Sequence, residues 1–296
     1  MRRIVRTVLP AVALLATAGV AHAQYDVYGI TTVAGGAQQL VRFNSATPGA
    51  VTTLGPTGFG LTGIDFRPAT GQLFGYNGTQ LFTVNLSTGA ASSVATVGQA
   101  TGGSGGFDFN PTVDRIRIVD QATGTNLRVV PTTGALVNGM PDGGYVYEPG
   151  DAGSGTPVLG GVAYSNSLPG TVTATIQYGI DTQRGTLVQI LQPNGGNVRT
   201  LGSLGLPGAL AGPVGFDIVT VGSTNLGFFT AVNAGVTNFY SVNLANGQAR
   251  FVGAVGGQVQ LQGIAVALVP EPGTWALMGV GLAGLAGLAR RRRPAA

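Results

Sequence analysis

Across residues 24–268, apolar and polar residues alternate in short runs separated by glycine-containing turns, a period of two that predicts β-strands. Five segments, residues 39–58, 80–98, 126–137, 186–205 and 238–256, share one pattern: an alternating strand, a turn glycine and a second short strand. Each has a companion strand that opens on glycine. These are Gly63-Ile64-Asp65-Phe66, Gly106-Phe107-Asp108-Phe109, Gly161-Val162-Ala163-Tyr164, Gly215-Phe216-Asp217-Ile218 and Gly263-Ile264-Ala265-Val266. The companions recur at intervals of 43, 55, 54 and 48 residues, and such a repeat, with about four short strands per unit, predicts a β-propeller. The last companion has no repeat after it, and the first repeat has no companion before it. The expected fold is therefore all-β, a five-bladed β-propeller closed by pairing the C-terminal strand with residues 25–33, which removes exposed sheet edges. A β-sandwich or β-solenoid is the alternative architecture, and a sixth blade arises if residues 138–160 form strands of their own.

Both ends depart from this pattern. Arg2, Arg3 and Arg6 precede an apolar run over residues 8–20 that ends at Ala21-His22-Ala23, the layout of a secretory signal peptide cut after Ala21 and Ala23, before Gln24. The run is too short to span a bilayer comfortably. At the other end, Pro270-Glu271-Pro272 leads into an apolar stretch over residues 274–289 and then Arg290, Arg291, Arg292 and Arg293. An apolar segment followed by an arginine block predicts a transmembrane helix with the block held on the cytoplasmic side, so the domain itself lies outside. The expected division is a signal peptide at 1–23, the propeller at 24–268 and a sorting segment at 269–296.

These end segments change the meaning of the net charge of +4. They hold seven of the fifteen basic residues, and residues 24–268 carry eight arginines against ten acids, a net of 8 − 10 = −2. The mature domain thus lacks the basic footprint of a nucleic-acid binder. The chain has no Cys and no Lys, and its one histidine, His22, falls in the segment expected to be removed. That composition excludes Ser-His-Asp and Cys-His nucleophiles, a zinc site with nitrogen or sulfur ligands, and Schiff-base chemistry in the mature domain. No cofactor or metal is assigned. Catalysis is left to Asp, Glu, Tyr or Arg.

Three companions carry Asp at one position, Asp65, Asp108 and Asp217, where the other two carry Ala163 and Ala265. Such an Asp accepts hydrogen bonds from backbone amides of its own turn, or the set rings one mouth of the channel and binds a cation or a sugar. The richest polar stretch runs from Gly106 to Arg117, followed by Asn126-Leu127-Arg128, and Asp108, Asn110, Asp114, Arg115, Arg117 and Arg128 are the candidate ligand-binding residues. Arg117 and Arg128 fall on neighbouring strands. Either Asp114 or Asp120 bridges them, or they present a fork that suits a carboxylate or sulfate on an acidic polysaccharide. Asp142, Glu148 and Asp151 lie in the longest irregular segment, either as a solvated acidic loop or as oxygen ligands for Ca²⁺.

Two resemblances follow from these residues. Pro270-Glu271-Pro272, the apolar segment and the arginine block resemble the PEP-CTERM sorting signal of Gram-negative bacteria. That implies removal of the tail by an exosortase, a membrane Cys protease, after a transient inner-membrane stage, with the mature protein in the periplasm, on the outer surface or in the extracellular matrix. Membrane contact is then through the tail alone. The strings Asp108-Phe109-Asn110-Pro111, Asp114-Arg115, Arg117 and Asn126-Leu127-Arg128 resemble a bacterial domain of unknown function, number 4394, from about Tyr28 to Val266. The sequence departs from it at Ser165-Asn166, where the family more often has Thr before Asn. No activity comes with this resemblance.

The leading functional expectation is a non-catalytic binding module for extracellular carbohydrate or protein. A glycosidase or polysaccharide lyase using Asp108, Asp114 or Asp217 is the alternative, and a purely structural envelope protein is the third.

Overall fold

The computed structural model describes residues 24–268 except residues 34, 103, 104 and 234. The expected signal peptide, its cleavage site, the sorting motif and the arginine block lie outside the described residues. Within them, no helix is long and apolar enough to cross a membrane.

Twenty strands form five sheets arranged as five blades. Blade 1 joins β1 (Tyr25–Thr32), β2 (Gln38–Asn44) and β3 (Thr47–Pro56) to the last strand, β20 (Leu261–Leu268). Blade 2 holds β4 (Gly63–Phe66), β5 (Leu73–Tyr76), β6 (Gln80–Val84) and β7 (Ala91–Thr96). Blade 3 holds β8 (Gly105–Asn110), β9 (Arg115–Asp120) and β10 (Asn126–Val129). Blade 4 combines β11 (Val146–Tyr147), β12 (Leu159–Tyr164), β13 (Gln177–Asp181), β14 (Thr186–Gln192) and β15 (Asn197–Ser203). Blade 5 holds β16 (Ala211–Val221), β17 (Thr224–Asn233), β18 (Val236–Val242) and β19 (Ala249–Ala254).

The ring closes as the sequence predicts. β1 pairs antiparallel with β20, Tyr28 opposite Ala265 and Gly29 opposite Ile264, so both ends of the described chain complete one blade. The five companion strands are β4, β8, β12, β16 and β20, the innermost strand of each blade. Residues 138–160 do not add a sixth. Apart from the start of β12, they form one strand, β11, which pairs parallel with β15 at the outer edge of blade 4. The third repeat is also shorter than expected, because its second half contributes only an isolated bridge between Val129 and Leu136.

Five buried clusters hold the ring, one between each pair of neighbouring blades. Phe43, Phe228 and Phe239 fill the gap between blades 1 and 5, while Ile30, Leu40, Leu73 and Phe82 fill that between blades 1 and 2. Phe74, Phe109 and Ile116 pack between blades 2 and 3, Val119, Leu159 and Val188 between 3 and 4, and Ile180, Ile218 and Phe229 between 4 and 5. Because side chains alternate faces, Val27 and Val266 face one neighbouring blade and Tyr28 and Ala265 the other.

The opening glycines of the companion strands form the tight end of the central channel. A Cβ on Gly63 would lie 2.5 Å from Phe107 Cβ, and one on Gly106 would lie 2.3 Å from Val162 Cγ2. The strands converge at this closeness because these positions lack a side chain. Gly63, Gly106, Gly161, Gly215 and Gly263 there surround only about 10 Å³ of free space.

Candidate functional site

Side chains two residues along a strand share a face, so the residues that follow the glycines by two also face the channel axis. Three of the five are Asp65, Asp108 and Asp217, and the other two are Ala163 and Ala265. The three carboxylates converge, with one oxygen of each within 4.8 Å of the others, and all three are buried.

Backbone amides hold them, from two blades at once. Asp65 accepts from its neighbour Phe66 N at 2.7 Å and from Phe109 N of blade 3 at 2.7 Å. Asp108 accepts from Tyr164 N of blade 4 at 2.9 Å. Asp217 accepts from Ile218 N at 2.6 Å and from Val266 N of blade 1 at 2.5 Å. The expectation of acceptors for their own turns is thus half of the arrangement. The other half is a set of staples, each carboxylate pinning the inner strand of the following blade.

Crowding three buried acids together disfavours their charged forms. Burial, with the neighbouring Asp217 charge, holds Asp65 well above the usual carboxylate range. Burial and the charges of Asp65 and Asp217 do the same to Asp108. Burial pushes Asp217 up to about 6, against the pull of its two amide donors. Chemically, such a triad can share protons or supply oxygens to a hard cation.

The channel widens into a cleft of about 690 Å³ at the ends of the inner strands. Asp65 and Asp217 lie at its floor, with Phe66, Val219 and Pro169 as apolar wall and Asp26, Thr70, Ser167 and Thr220 as polar groups. Tyr28 meets Phe66 edge to face at 5.4 Å between ring centres. Of the cleft residues, only Asp65 and Asp217 were singled out from the sequence. The others come from loops and strand ends of blades 1, 2, 4 and 5, and no local motif links them.

The remaining candidates gather around a second, smaller pocket of about 160 Å³ between blades 3 and 4. Asn110, Arg115, Arg117 and Arg128 line it together with Tyr164 and Asn194. Asp108 and Asp114 do not. Asp108 belongs to the channel, and Asp114 turns the other way, where both its oxygens take the Arg67 guanidinium at 2.8 and 2.5 Å. That hydrogen-bonded pair holds the Asp114 carboxyl below the usual range.

Arg117 and Arg128 do stand opposite each other in the β9–β10 register. The acid that bridges them is Asp142, however, at 2.7 Å from Arg117 and 3.1 Å from Arg128, and not Asp114 or Asp120. Asp120 instead accepts Ala122 N, Thr123 N and Gly102 N. Arg117 is only 2% exposed, and its donors reach Asn126, Asp142, Asn194 and the Tyr164 hydroxyl. It is a buried strut in an acid-bridged pair, the first of the two arrangements the sequence allowed, and not half of a solvent-facing fork. Asp142, Glu148 and Asp151 likewise do not assemble. Asp142 holds the arginines, whereas Asp151 accepts Gly153 N and the Thr200 amide and hydroxyl. Among the described residues the one group of three potential metal-ligating side chains is the channel triad.

Fold and channel together define a five-bladed β-propeller with an acidic central axis and an open mouth on one face. Similar solved structures include a chain of a nidogen/laminin complex, at 12% identity, covering 83% of this chain and 98% of that one with a TM-score of 0.47. A periplasmic gluconolactonase of Pseudomonas aeruginosa shares 14% identity over 79% of this chain and 83% of its own, with a TM-score of 0.40. An auxiliary nutrient binding protein of Bacteroides ovatus shares 14% over 75% and 57%, with a TM-score of 0.41. A comparison with curated protein sequences gives no match. The chain belongs to the family described as Domain of unknown function (DUF4394), which matches residues 39–265. Residues 268–293 match the PEP-CTERM protein-sorting motif, a signal for export to the cell envelope or beyond in Gram-negative bacteria.

Proposed function

We propose that this protein is a non-catalytic binding propeller of the cell envelope or extracellular matrix that takes a saccharide in the cleft over the wide end of its channel. The observation that carries the reading is the composition of that cleft. Carboxylates, threonine and serine hydroxyls and an apolar wall surround one concavity large enough for a small ligand, the mixture that orients hydroxyl-bearing rings. Residues 24–268 contain no His, Cys or Lys to serve as nucleophile or base.

The carboxylate-enzyme alternative draws on Asp217, which lines the cleft with its affinity for a proton raised to about 6. Against it, both Asp217 oxygens are held by backbone amides, and Asp217 and its neighbour Asp65 are only 5% and 6% exposed, where a glycosidase needs an accessible pair flanking the scissile bond. Of the other two candidate acids, Asp114 is locked to Arg67, and Asp108 is buried in the channel and does not line the cleft. A purely structural envelope role would leave the cleft without a ligand.

A glycan array and a reducing-sugar assay on the same preparation separate the three. Binding without turnover is the expected result, turnover would establish the enzyme, and blanks in both would leave the structural role. For the ends of the chain, the proposal is a signal peptide at 1–23, the propeller at 24–268 and a tail at 269–296 removed by an exosortase. Intact mass of envelope-derived protein should show the Arg290 to Arg293 block missing, and a mass that retains it would refute processing.

A further inference from the structure

We infer that the pocket between blades 3 and 4 is a subsite for a single oxyanion, a carboxylate or sulfate borne by an acidic saccharide. This rests on the saccharide-binding reading and narrows it to acidic sugars. Three guanidinium groups, Arg115, Arg117 and Arg128, line one small pocket, and the one carboxylate bonded to any of them is Asp142. The nearest acid in sequence, Asp114, gives both oxygens to Arg67. The pocket therefore carries an excess of positive charge.

Its donors are unevenly used. Arg117 spends four of its five N–H donors on side-chain acceptors and serves as the base of the pocket. Arg128 spends Nη2 on Asp142, while its Nε is buried with no hydrogen-bond partner. A buried donor without an acceptor costs stability unless a ligand or solvent oxygen completes it. Arg115 uses Nη1 on the Val113 and Asp114 carbonyls and makes no other hydrogen bond among the described residues. The unused Nε and Nη2 of Arg115 and Nη1 of Arg128 thus remain for an incoming anion, and guanidinium donors of this kind recognise planar or tetrahedral oxyanions. At about 160 Å³ the pocket is smaller than the roughly 300 Å³ at which whole-ligand sites begin, so it suits one charged substituent.

Its position supplies the link to the cleft. Val113 and Arg115 of the β8–β9 hairpin line the pocket, while Asp114 between them grips Arg67, which lines the cleft. The loop after β4 and the hairpin after β8 both follow the ends of inner strands, and that ion pair joins them. A saccharide seated in the cleft can extend its acidic group across the Arg67–Asp114 pair to Arg115 and Arg128.

The test is calorimetry on the full-length protein with oligogalacturonate, a matched neutral oligosaccharide and inorganic sulfate. The expected result is binding of the acidic sugar that weakens with added salt and falls roughly tenfold to a hundredfold in Arg128→Gln. Arg115→Gln, which leaves the buried network intact, should weaken it in the same direction with an unchanged melting temperature, so the result survives if Arg128→Gln folds poorly. Equal binding of the neutral and acidic sugars, unaffected by Arg115→Gln, overturns the subsite and leaves the saccharide reading standing. Arginine-dependent sulfate binding with no sugar bound upholds the pocket and overturns the saccharide reading. Blanks with all three probes overturn both.

Discussion

The carboxylate of Asp217 accepts the Val266 amide at 2.5 Å, so a side chain of blade 5 holds the inner strand of the blade that closes the ring. Its other oxygen accepts Ile218 N, so each oxygen of the group holds one backbone amide. Replacing this residue therefore acts on closure as well as on the channel.

An amide has one carbonyl oxygen and one NH₂, so Asp217→Asn turns a donor toward one of two backbone donors and orphans an N–H. The expected loss is about 1–3 kcal/mol in urea unfolding at neutral pH. Asp108 bonds through one oxygen only, to Tyr164 N, so Asp108→Asn keeps its acceptor and removes one of three crowded charges. It should be neutral or stabilising at pH 7.5. Equal losses in both variants would show that the staple geometry does not govern stability.

The triad also sets a pH dependence. Asp217 is raised to about 6 from an ordinary 3.8, so the folded protein holds this proton more tightly than the unfolded chain. Stability from this group is full below pH 3.8 and is lost as pH rises through about 6; Asp65 and Asp108 act in the same direction. Denaturant midpoints measured from pH 4 to 7.5 should fall, and fall less in Asp108→Asn. A midpoint that climbs over that range would contradict the assignment.

The glycine ring has its own signature. Gly106→Ala places a Cβ 2.3 Å from Val162 Cγ2 and 2.8 Å from its backbone N, so the inner strands must separate, at a cost of about 1–3 kcal/mol. Gly60, whose Cβ would meet nothing within 4 Å, is the control and should accept Ala with no comparable loss. Thermal melts of the pair decide it.

Of the paired arginines, Arg117 is the structural one. Arg117→Gln removes a buried charge from Asp142 and takes the donor from Asn194, while Asn126 keeps the Tyr145 hydroxyl, at about 3–5 kcal/mol. Arg128→Gln, at a partly exposed site, leaves Asp142 paired to Arg117 and should cost about 1 kcal/mol or less. Chemical unfolding of both variants with matched far-UV spectra measures the difference, and the reverse order would overturn it.

The sequence alone determined the repeat. Alternation with period two, turn glycines and the five Gly-led companion strands are local consequences of backbone geometry, and they set five blades and the pairing of the C-terminal strand with the first, whose register the structure supplies. They also placed Asp65, Asp108 and Asp217 at one equivalent position. What the tertiary structure decided is which groups meet between blades. Phe109 N and Tyr164 N reach acids 44 and 56 residues away, Asp142 displaces Asp114 and Asp120 as the arginine bridge, and β11 joins blade 4. The spacing of residues along a strand fixes the face on which a side chain stands. Its partner across a blade interface depends on where separate sheets come to rest and how intervening loops fold over them, which no periodicity in the chain records.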